Sequence, residues 1–182
     1  MRIGINGFGR IGRTVFRILN RQDDTEVVAI NDLANDDVLT YLLKYDTVMG
    51  PLKDSVSVNN GVLTTSNHSI KMLNEHDPSA LPWKELGVDV VIESTGVFRT
   101  REQLQSHIDS GAEYVVLTVP AKDEIDFTVV IGVNEDRLTS DHKIISNASC
   151  TTNCLAPMAK VCLLYTSPRP RDATLSRMPS SA

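Results

Sequence analysis

A glycine-rich turn near the amino terminus constrains this chain more than any other feature. Gly7-Phe-Gly9-Arg-Ile-Gly12 follows the strand-like run Arg2-Ile-Gly-Ile-Asn6 and opens a helical stretch from Arg10 to Arg21. Alone, G-x-G-x-x-G is a weak pattern, because glycines also serve ordinary tight turns. Between a strand and a helix each glycine acquires a task. Gly7 makes the turn, Gly9 lets a ligand's pyrophosphate approach the backbone, and Gly12 lets the helix pack closely. The helix start then offers unpaired amides and the positive end of its dipole to negative charge.

Glu26-Val-Val-Ala-Ile-Asn31 reads as the second strand, and Asp32 stands at its end, twenty positions past Gly12. A carboxylate there can accept both ribose hydroxyls of an adenosine and would repel a 2′-phosphate, so the pattern points to NAD rather than NADP. The bland alternative is that Asp32 only caps the following helix.

Strand-like and helix-like segments alternate for about 150 residues. The spacing of Ile11, Val15, Ile18 and Leu19 predicts one buried face on the first helix, and Val38, Leu39, Leu42 and Leu43 predict another on a helix from Asp36 to Tyr45. Short alternating runs between Ser55 and Leu73, punctuated by Asn59-Asn60-Gly61 and Asn67-His68, predict small antiparallel hairpins. The parallel pattern resumes with strands at Val88–Ile92, Tyr114–Thr118, Phe127–Ile131 and Lys143–Ile145, and a helix from about Thr100 to Ser110. Near-continuous apolar runs of this kind belong to strands covered on both faces, so the expected fold is α/β, a doubly wound, mostly parallel sheet with a small antiparallel hairpin insertion.

Ser146-Asn-Ala-Ser149-Cys150-Thr151-Thr152-Asn153-Cys154 joins the last strand to another helix. Ser149 suits the N-cap, which puts Cys150 in the first turn, beside unpaired amides and a positive dipole end that favour a reactive thiolate. A buried structural cysteine is the competing reading, and Cys154 is expected to be structural. A metal pair between the two is disfavoured, because no further Cys or His completes a ligand set.

The formal net charge of -5 and pI near 5.3 argue against general affinity for nucleic acid or anionic membrane and favour a small metabolite as partner. No targeting segment or apolar run long enough to span a bilayer is evident. Three cysteines do not make a disulfide framework and suit a reducing cytoplasm, so the sequons at Asn67 and Asn147 are read as chance matches.

With both motifs in hand, residues 1 to about 161 resemble the phosphorylating glyceraldehyde-3-phosphate dehydrogenases. The matching segments are Asn6-Gly-Phe-Gly-Arg-Ile-Gly-Arg13, Ile30-Asn-Asp-Leu33, Leu43-Lys-Tyr-Asp46, Leu86-Gly-Val-Asp-Val-Val91, Ser94-Thr-Gly96, Pro120-Ala-Lys122 and Ser146-Asn-Ala-Ser-Cys-Thr-Thr-Asn-Cys-Leu-Ala-Pro157. The resemblance implies a Rossmann-type NAD-binding domain over residues 1–148 and the start of a catalytic domain over residues 149–161. It implies that Cys150 attacks the aldehyde carbon of glyceraldehyde 3-phosphate, giving a hemithioacetal that loses hydride to nicotinamide and leaves a thioester for inorganic phosphate to cleave. Ser149 and Thr151 would hold substrate or phosphate. Gly7, Gly9, Arg10, Ile11, Gly12 and Asp32 would contact the cofactor, as would Ser94 and Gly96 by their backbone and Thr118 near the nicotinamide. His76 stands where the family often has an arginine or lysine near the adenine, and reads most simply as a tolerated surface substitution.

Residues 162–182 depart from the family. They hold three of the eight prolines and a Pro-Arg-Pro-Arg run, and are expected to be a disordered, non-native tail replacing nearly all of the catalytic domain. On that expectation this chain binds NAD but does not turn over, because the histidine that would activate Cys150 is missing. A homotetramer is implied for the full-length family and not for this chain alone. Erythrose-4-phosphate dehydrogenase is the alternative within the enzyme class, and a non-catalytic nucleotide-binding fragment is the alternative outside it.

Overall fold

The computed structural model describes residues 1–165. It contains one nine-stranded mixed sheet with helices on both faces. The opening unit is β1 (Arg2–Asn6), α1 (Arg10–Leu19), β2 (Glu26–Asn31) and α2 (Asp36–Lys44). Three short strands follow, β3 (Ser57–Asn59), β4 (Val62–Thr64) and β5 (Ser69–Leu73), and then β6 (Val90–Glu93), α3 (Arg101–Asp109), β7 (Tyr114–Leu117), β8 (Phe127–Thr128), β9 (Ile144–Ser146) and α4 (Cys150–Tyr165).

The strand order is β3-β4-β5-β2-β1-β6-β7-β9-β8. All pairs from β5 to β8 are parallel, and only β3-β4 and β4-β5 are antiparallel, which is the expected hairpin insertion. From β1 the chain winds outward through β2, then returns to lay β6 on the other side of β1. That reversal leaves a crevice at the carboxyl ends of β1 and β6, where ligands of such sheets bind.

Apolar runs bury the sheet on both sides. Ile3, Ile5, Phe16, Ile30, Leu39 and Leu43 belong to one core, and Trp83, Val91, Leu104, Val115, Leu117 and Ile144 to the other. Phe8 and Phe16 meet edge to face at 5.7 Å, fixing the glycine turn to α1.

The helices dock on narrower faces than their spacing predicts. On α1, Ile11 and Ile18 are about half exposed, and Gly12, Phe16 and Arg17 are buried instead. The cause is Gly12: it lets the helix sit directly on the turn, so the residue one turn later, Phe16, points inward. Arg17 is buried because its guanidinium donates to the carbonyls of Leu43 and Gly50, satisfying the carboxyl end of α2. On α2 only Leu39 and Leu43 are buried, and Val38 and Leu42 face outward.

β8 stops after Thr128, short of the expected Ile131. Asn134 intervenes, accepting from the Val130 amide at 2.8 Å and donating to the Thr128 carbonyl at 3.0 Å, so the chain turns away from β9 and Ile131 is left exposed. Asp126 ties this edge to α3: it accepts from the amides of Lys143 and Ile144 and pairs with Arg101 at 2.6 Å. Burial pushes the Asp126 carboxyl up, but the Ile144 amide, the Arg101 guanidinium and the Lys143 amide outweigh it and hold the group below the ordinary carboxylate range.

The helix begun by Cys150 runs through Tyr165, so residues 162–165 are helical, correcting the expectation of disorder there; residues 166–182 of the expected tail lie outside the described residues. Leu155, Met158, Val161, Leu163 and Leu164 on α4 are all more than half exposed, and the Lys160 ammonium donates to the carbonyls of Gly132 and Val133. Among the described residues, no helix is long and apolar enough to cross a membrane.

Candidate functional site

The crevice at the carboxyl ends of β1 and β6 is lined by Gly7, Gly9, Asp32, His76, Ser94 and Thr95, among others. Gly7 has φ +90°, a region that L side chains rarely adopt, and its amide donates to the Asn31 carbonyl at 2.8 Å. A Cβ on Gly12 would lie 2.1 Å from the Gly7 carbonyl oxygen, so α1 and the turn touch backbone to backbone. Gly9 differs: it caps α1 with no side-chain hydrogen bond, and a Cβ there would meet nothing within 4 Å. The open space over Gly9 and an uncapped helix start are what a pyrophosphate requires.

Asp32 follows β2 and is half-buried. Its Oδ2 accepts from the Phe8 amide at 2.6 Å and its Oδ1 from the Ala34 amide at 2.9 Å. The helix-capping alternative is excluded, because Asn35 caps α2 by accepting from the Asp37 amide. Asp32 thus braces the glycine turn and faces the crevice at once. The Ser94 hydroxyl donates to the carbonyls of Asn6 and Gly7, at 3.1 and 2.6 Å, closing the turn from the β6 side.

His76 lines the crevice beside Glu75 and is exposed. Arg10 and Ile11 lie exposed at the α1 start, and Gly96 lies on the Ser94 loop with φ +74°. None of these three is among the residues lining the crevice, and neither is Thr118. Thr118 follows β7, where both its amide and its hydroxyl donate to the Glu93 carbonyl.

Sequence reasoning passed over Asn6, Asn31, Glu75, Thr95, Val97 and Phe98, all of which line the crevice. One signal was present for two of them. Asn6 and Asn31 are polar residues ending otherwise apolar parallel strands, at the edge where such sheets bind ligands.

The second candidate feature lies on the same edge, because β9 is parallel to its neighbours and α4 starts just past it. The Ser146 hydroxyl donates to the Val119 carbonyl and accepts from the Ala148 amide, and Ala148, with φ +56°, turns the chain sharply out of the sheet. Ser149 then caps α4, its Oγ accepting from the Thr152 amide at 3.0 Å and lying 2.9 Å from the Thr151 hydroxyl. Asn153 steadies the turn by donating to the carbonyls of Asn147 and Ser149.

Cys150 is the first residue of the helix and is exposed, so the buried-structural reading does not apply to it. Cys154, expected to be structural, is exposed as well. Among the described residues, no group of three or more His, Cys, Asp or Glu could hold a metal ion.

Comparison with known proteins bears on both features. Residues 1–101 match the family model described as glyceraldehyde 3-phosphate dehydrogenase, NAD binding domain. The chain is 53% identical over 163 residues to a glyceraldehyde-3-phosphate dehydrogenase of Streptomyces coelicolor, and 55% identical over 162 residues to one of Thermotoga maritima. It is 52% identical over 162 residues to the enzyme of that name from Geobacillus stearothermophilus. Each match covers 88% of this chain and 48% of the relative, so the chain spans about half the length of the curated relatives it matches.

Proposed function

The chain belongs to the glyceraldehyde 3-phosphate dehydrogenase family and its cofactor is NAD, and from that premise we propose that it supplies the dinucleotide site and the nucleophile for phosphorylating oxidation of D-glyceraldehyde 3-phosphate. The observation that carries this reading is the Ser149-capped start of α4, which presents an exposed Cys150 on the same sheet edge as the crevice over Gly9.

NAD, when bound, supplies the hydride acceptor. The chain's own residues bind and orient it. Gly9 and the α1 amides receive the pyrophosphate, and Asp32 accepts from the adenosine ribose. Gly7, Gly12 and Ser94 hold the turn in shape, and His76 lines the same crevice; Arg10, Ile11, Gly96 and Thr118 lie outside that lining and are given to the cofactor on the family resemblance alone.

Cys150 forms the bond to the aldehyde carbon, and covalent capture splits one difficult oxidation into a hydride loss and an acyl transfer. Negative charge gathering on its sulfur or on the substrate oxygen lies beside the positive end of α4. Ser149 and Thr151 present hydroxyls next to it for the substrate or the attacking inorganic phosphate. Exposed thiols at Cys150 and Cys154 suit a reducing cytoplasm.

The test is an assay of the protein carrying this chain with glyceraldehyde 3-phosphate, NAD and phosphate, following absorbance of the reduced cofactor. The expected result is formation that depends on both aldehyde and phosphate, faster with glyceraldehyde 3-phosphate than with erythrose 4-phosphate. Phosphate-independent formation, or a preference for the longer sugar, would reject the proposed reaction or its substrate.

Asp32 sets the choice of dinucleotide. Its carboxylate accepts charge-assisted hydrogen bonds, each worth about 1.5–3 kcal/mol. Asp32→Ala is therefore expected to weaken NAD by about tenfold or more and to narrow the preference over NADP, since repulsion of a 2′-phosphate goes with it. Calorimetric titration of both dinucleotides reads this. An unchanged ratio of the two affinities would remove Asp32 from that role.

A further inference from the structure

The crevice is braced from below by a buried polar chain that the proposed chemistry does not use. Glu93, the last residue of β6, is fully buried, as is His107 on α3, and Asn6 is nearly so. Glu93 Oε2 accepts from Asn6 Nδ2 at 2.6 Å and faces His107 Nε2 at 3.1 Å. Its Oε1 accepts from the Thr95 amide at 2.9 Å and from the Thr95 hydroxyl.

We propose that Glu93 is the positioning residue of the dinucleotide crevice: its buried carboxylate, by its charge rather than its size, holds Asn6 and Thr95 as fixed walls. This rests on the crevice being the NAD site.

The requirement for a carboxylate follows from the two ends of the chain. At one end, Trp83 Nε1 is only a donor, and it lies 3.0 Å from His107 Nδ1. Nδ1 must then accept, so the proton sits on Nε2 and is directed at Glu93. At the other end, the Glu75 amide donates to Asn31 Oδ1 at 2.8 Å, and Asn31 Nδ2 donates to the Glu75 carbonyl at 2.9 Å. That fixes which way the Asn31 amide faces. Asn31 Nδ2 also donates to Asn6 Oδ1 at 2.8 Å, which leaves Asn6 Nδ2 directed at Glu93.

The Thr95 amide is a backbone donor and cannot be reversed. The donors of Asn6, His107 and the Thr95 amide therefore converge on both oxygens of Glu93, and an ionised carboxylate accepts them all without bringing a proton of its own into the cluster. In Glu93→Gln the amide nitrogen must oppose either Asn6 and His107 or the Thr95 amide. The second conflict can be relieved only by moving Thr95.

Thr95 cannot move without consequence for the glycine turn. A Cβ on Gly7 would lie 2.6 Å from the Thr95 nitrogen, so the two backbones are in direct contact. Asn6, Asn31, Glu75 and Thr95 all line the crevice, whereas Trp83 and His107 lie at the far end of the chain in the core beneath. The same network thus has a cofactor-facing end and a purely structural end.

That asymmetry gives the test. NAD is titrated by calorimetry into the chain and into Glu93→Gln and Trp83→Phe variants, each shown to be folded by circular dichroism. The expected result is at least a tenfold loss of NAD affinity in Glu93→Gln and less than twofold in Trp83→Phe, although both melt at lower temperature. Without ligand, the Thr95 and Val97 amide hydrogens are expected to exchange at least tenfold faster in Glu93→Gln than in the unaltered chain.

Equal effects of the two variants on NAD affinity would reduce Glu93 to a structural role and overturn the proposal. So would unchanged Thr95 exchange in Glu93→Gln. If Glu93→Gln does not fold, carbon and nitrogen resonances of the unaltered chain decide at pH 7: an ionised Glu93 carboxylate with the Nε2–H tautomer of His107 supports the proposal, and a protonated carboxyl or the other tautomer overturns it. Failure of the unaltered chain to bind NAD would speak against the crevice as the cofactor site, and is distinguished from failure of the Glu93 assignment by the exchange rates, which need no ligand.

Discussion

Gly12→Ala is expected to destabilise the protein by about 3 kcal/mol or more and to abolish measurable NAD binding, whereas Gly9→Ala is expected to leave it folded and still lose the cofactor. The two glycines stand three residues apart in one motif, but the space around them is opposite in kind. At Gly12 the new Cβ would meet the Gly7 carbonyl oxygen at 2.1 Å and the Ser94 hydroxyl at 3.0 Å. Backbone on both sides must separate, and Gly7 is itself held by the Asn31 carbonyl and pressed against Thr95. The strain is therefore not absorbed by one flexible side chain, and α1 loses its seat, with Phe16 one turn further on.

At Gly9 the Cβ projects into open space and the backbone, at φ -67°, tolerates alanine. The folding cost is about 1 kcal/mol, the scale of replacing a helix N-cap by alanine. The methyl group instead occupies the volume assigned to the pyrophosphate. Thermal melts and NAD titrations of both variants separate the cases. A stable Gly12→Ala protein, or a Gly9→Ala protein with unaltered NAD affinity, would contradict the division of labour within the turn.

What could be read along the chain was local. The strand, glycine turn and helix of the opening unit, the Asp32 at the next strand end and the Ser149 cap all depend on neighbours within a few residues, and each is found where its spacing put it. Helix faces were less legible, because periodicity marks a stripe but not its width. Ile11 and Ile18 continue the stripe on α1 and yet stay outside, since contact through Gly12 rotates the helix toward Phe16 and Arg17.

The buried partners of Glu93 were not legible at all. Asn6 and His107, with Trp83 behind it, are brought to Glu93 by the pairing of β1 with β6 and the return of α3 across the sheet. A glutamate ending an apolar strand and a histidine near the end of a helix give no sign in one dimension that they meet. The nucleophile reading was intermediate: the cap was local, but the sharp exit at Ala148 that exposes Cys150 depends on Ser146 reaching across to Val119.

Cys150→Ser is expected to lower turnover of the protein carrying this chain by roughly 10⁴-fold or more, on the order seen when other enzymes lose a covalent nucleophile. The hydroxyl keeps the shape of the site and the Ser149 cap, so the loss reports the sulfur's bond to the aldehyde carbon rather than damage to α4. NAD affinity should change less than twofold, because Cys150 lies outside the crevice lining. That split separates a catalytic cysteine from one that merely stabilises a nucleotide-binding module, in which turnover would be absent before and after substitution. Alkylation offers a second reading on the chain itself. Cys150 and Cys154 are both exposed, so a difference in accessibility does not decide between them. Only Cys150 lies in the first turn, where helix amides and the dipole stabilise negative charge on sulfur. Iodoacetamide at neutral pH is therefore expected to label Cys150 before Cys154, as read by peptide mass spectrometry, with the fast phase absent in Cys150→Ser. Equal labelling rates would show that the helix start confers no special reactivity, and a Cys150→Ser protein that kept normal turnover would place the nucleophile elsewhere.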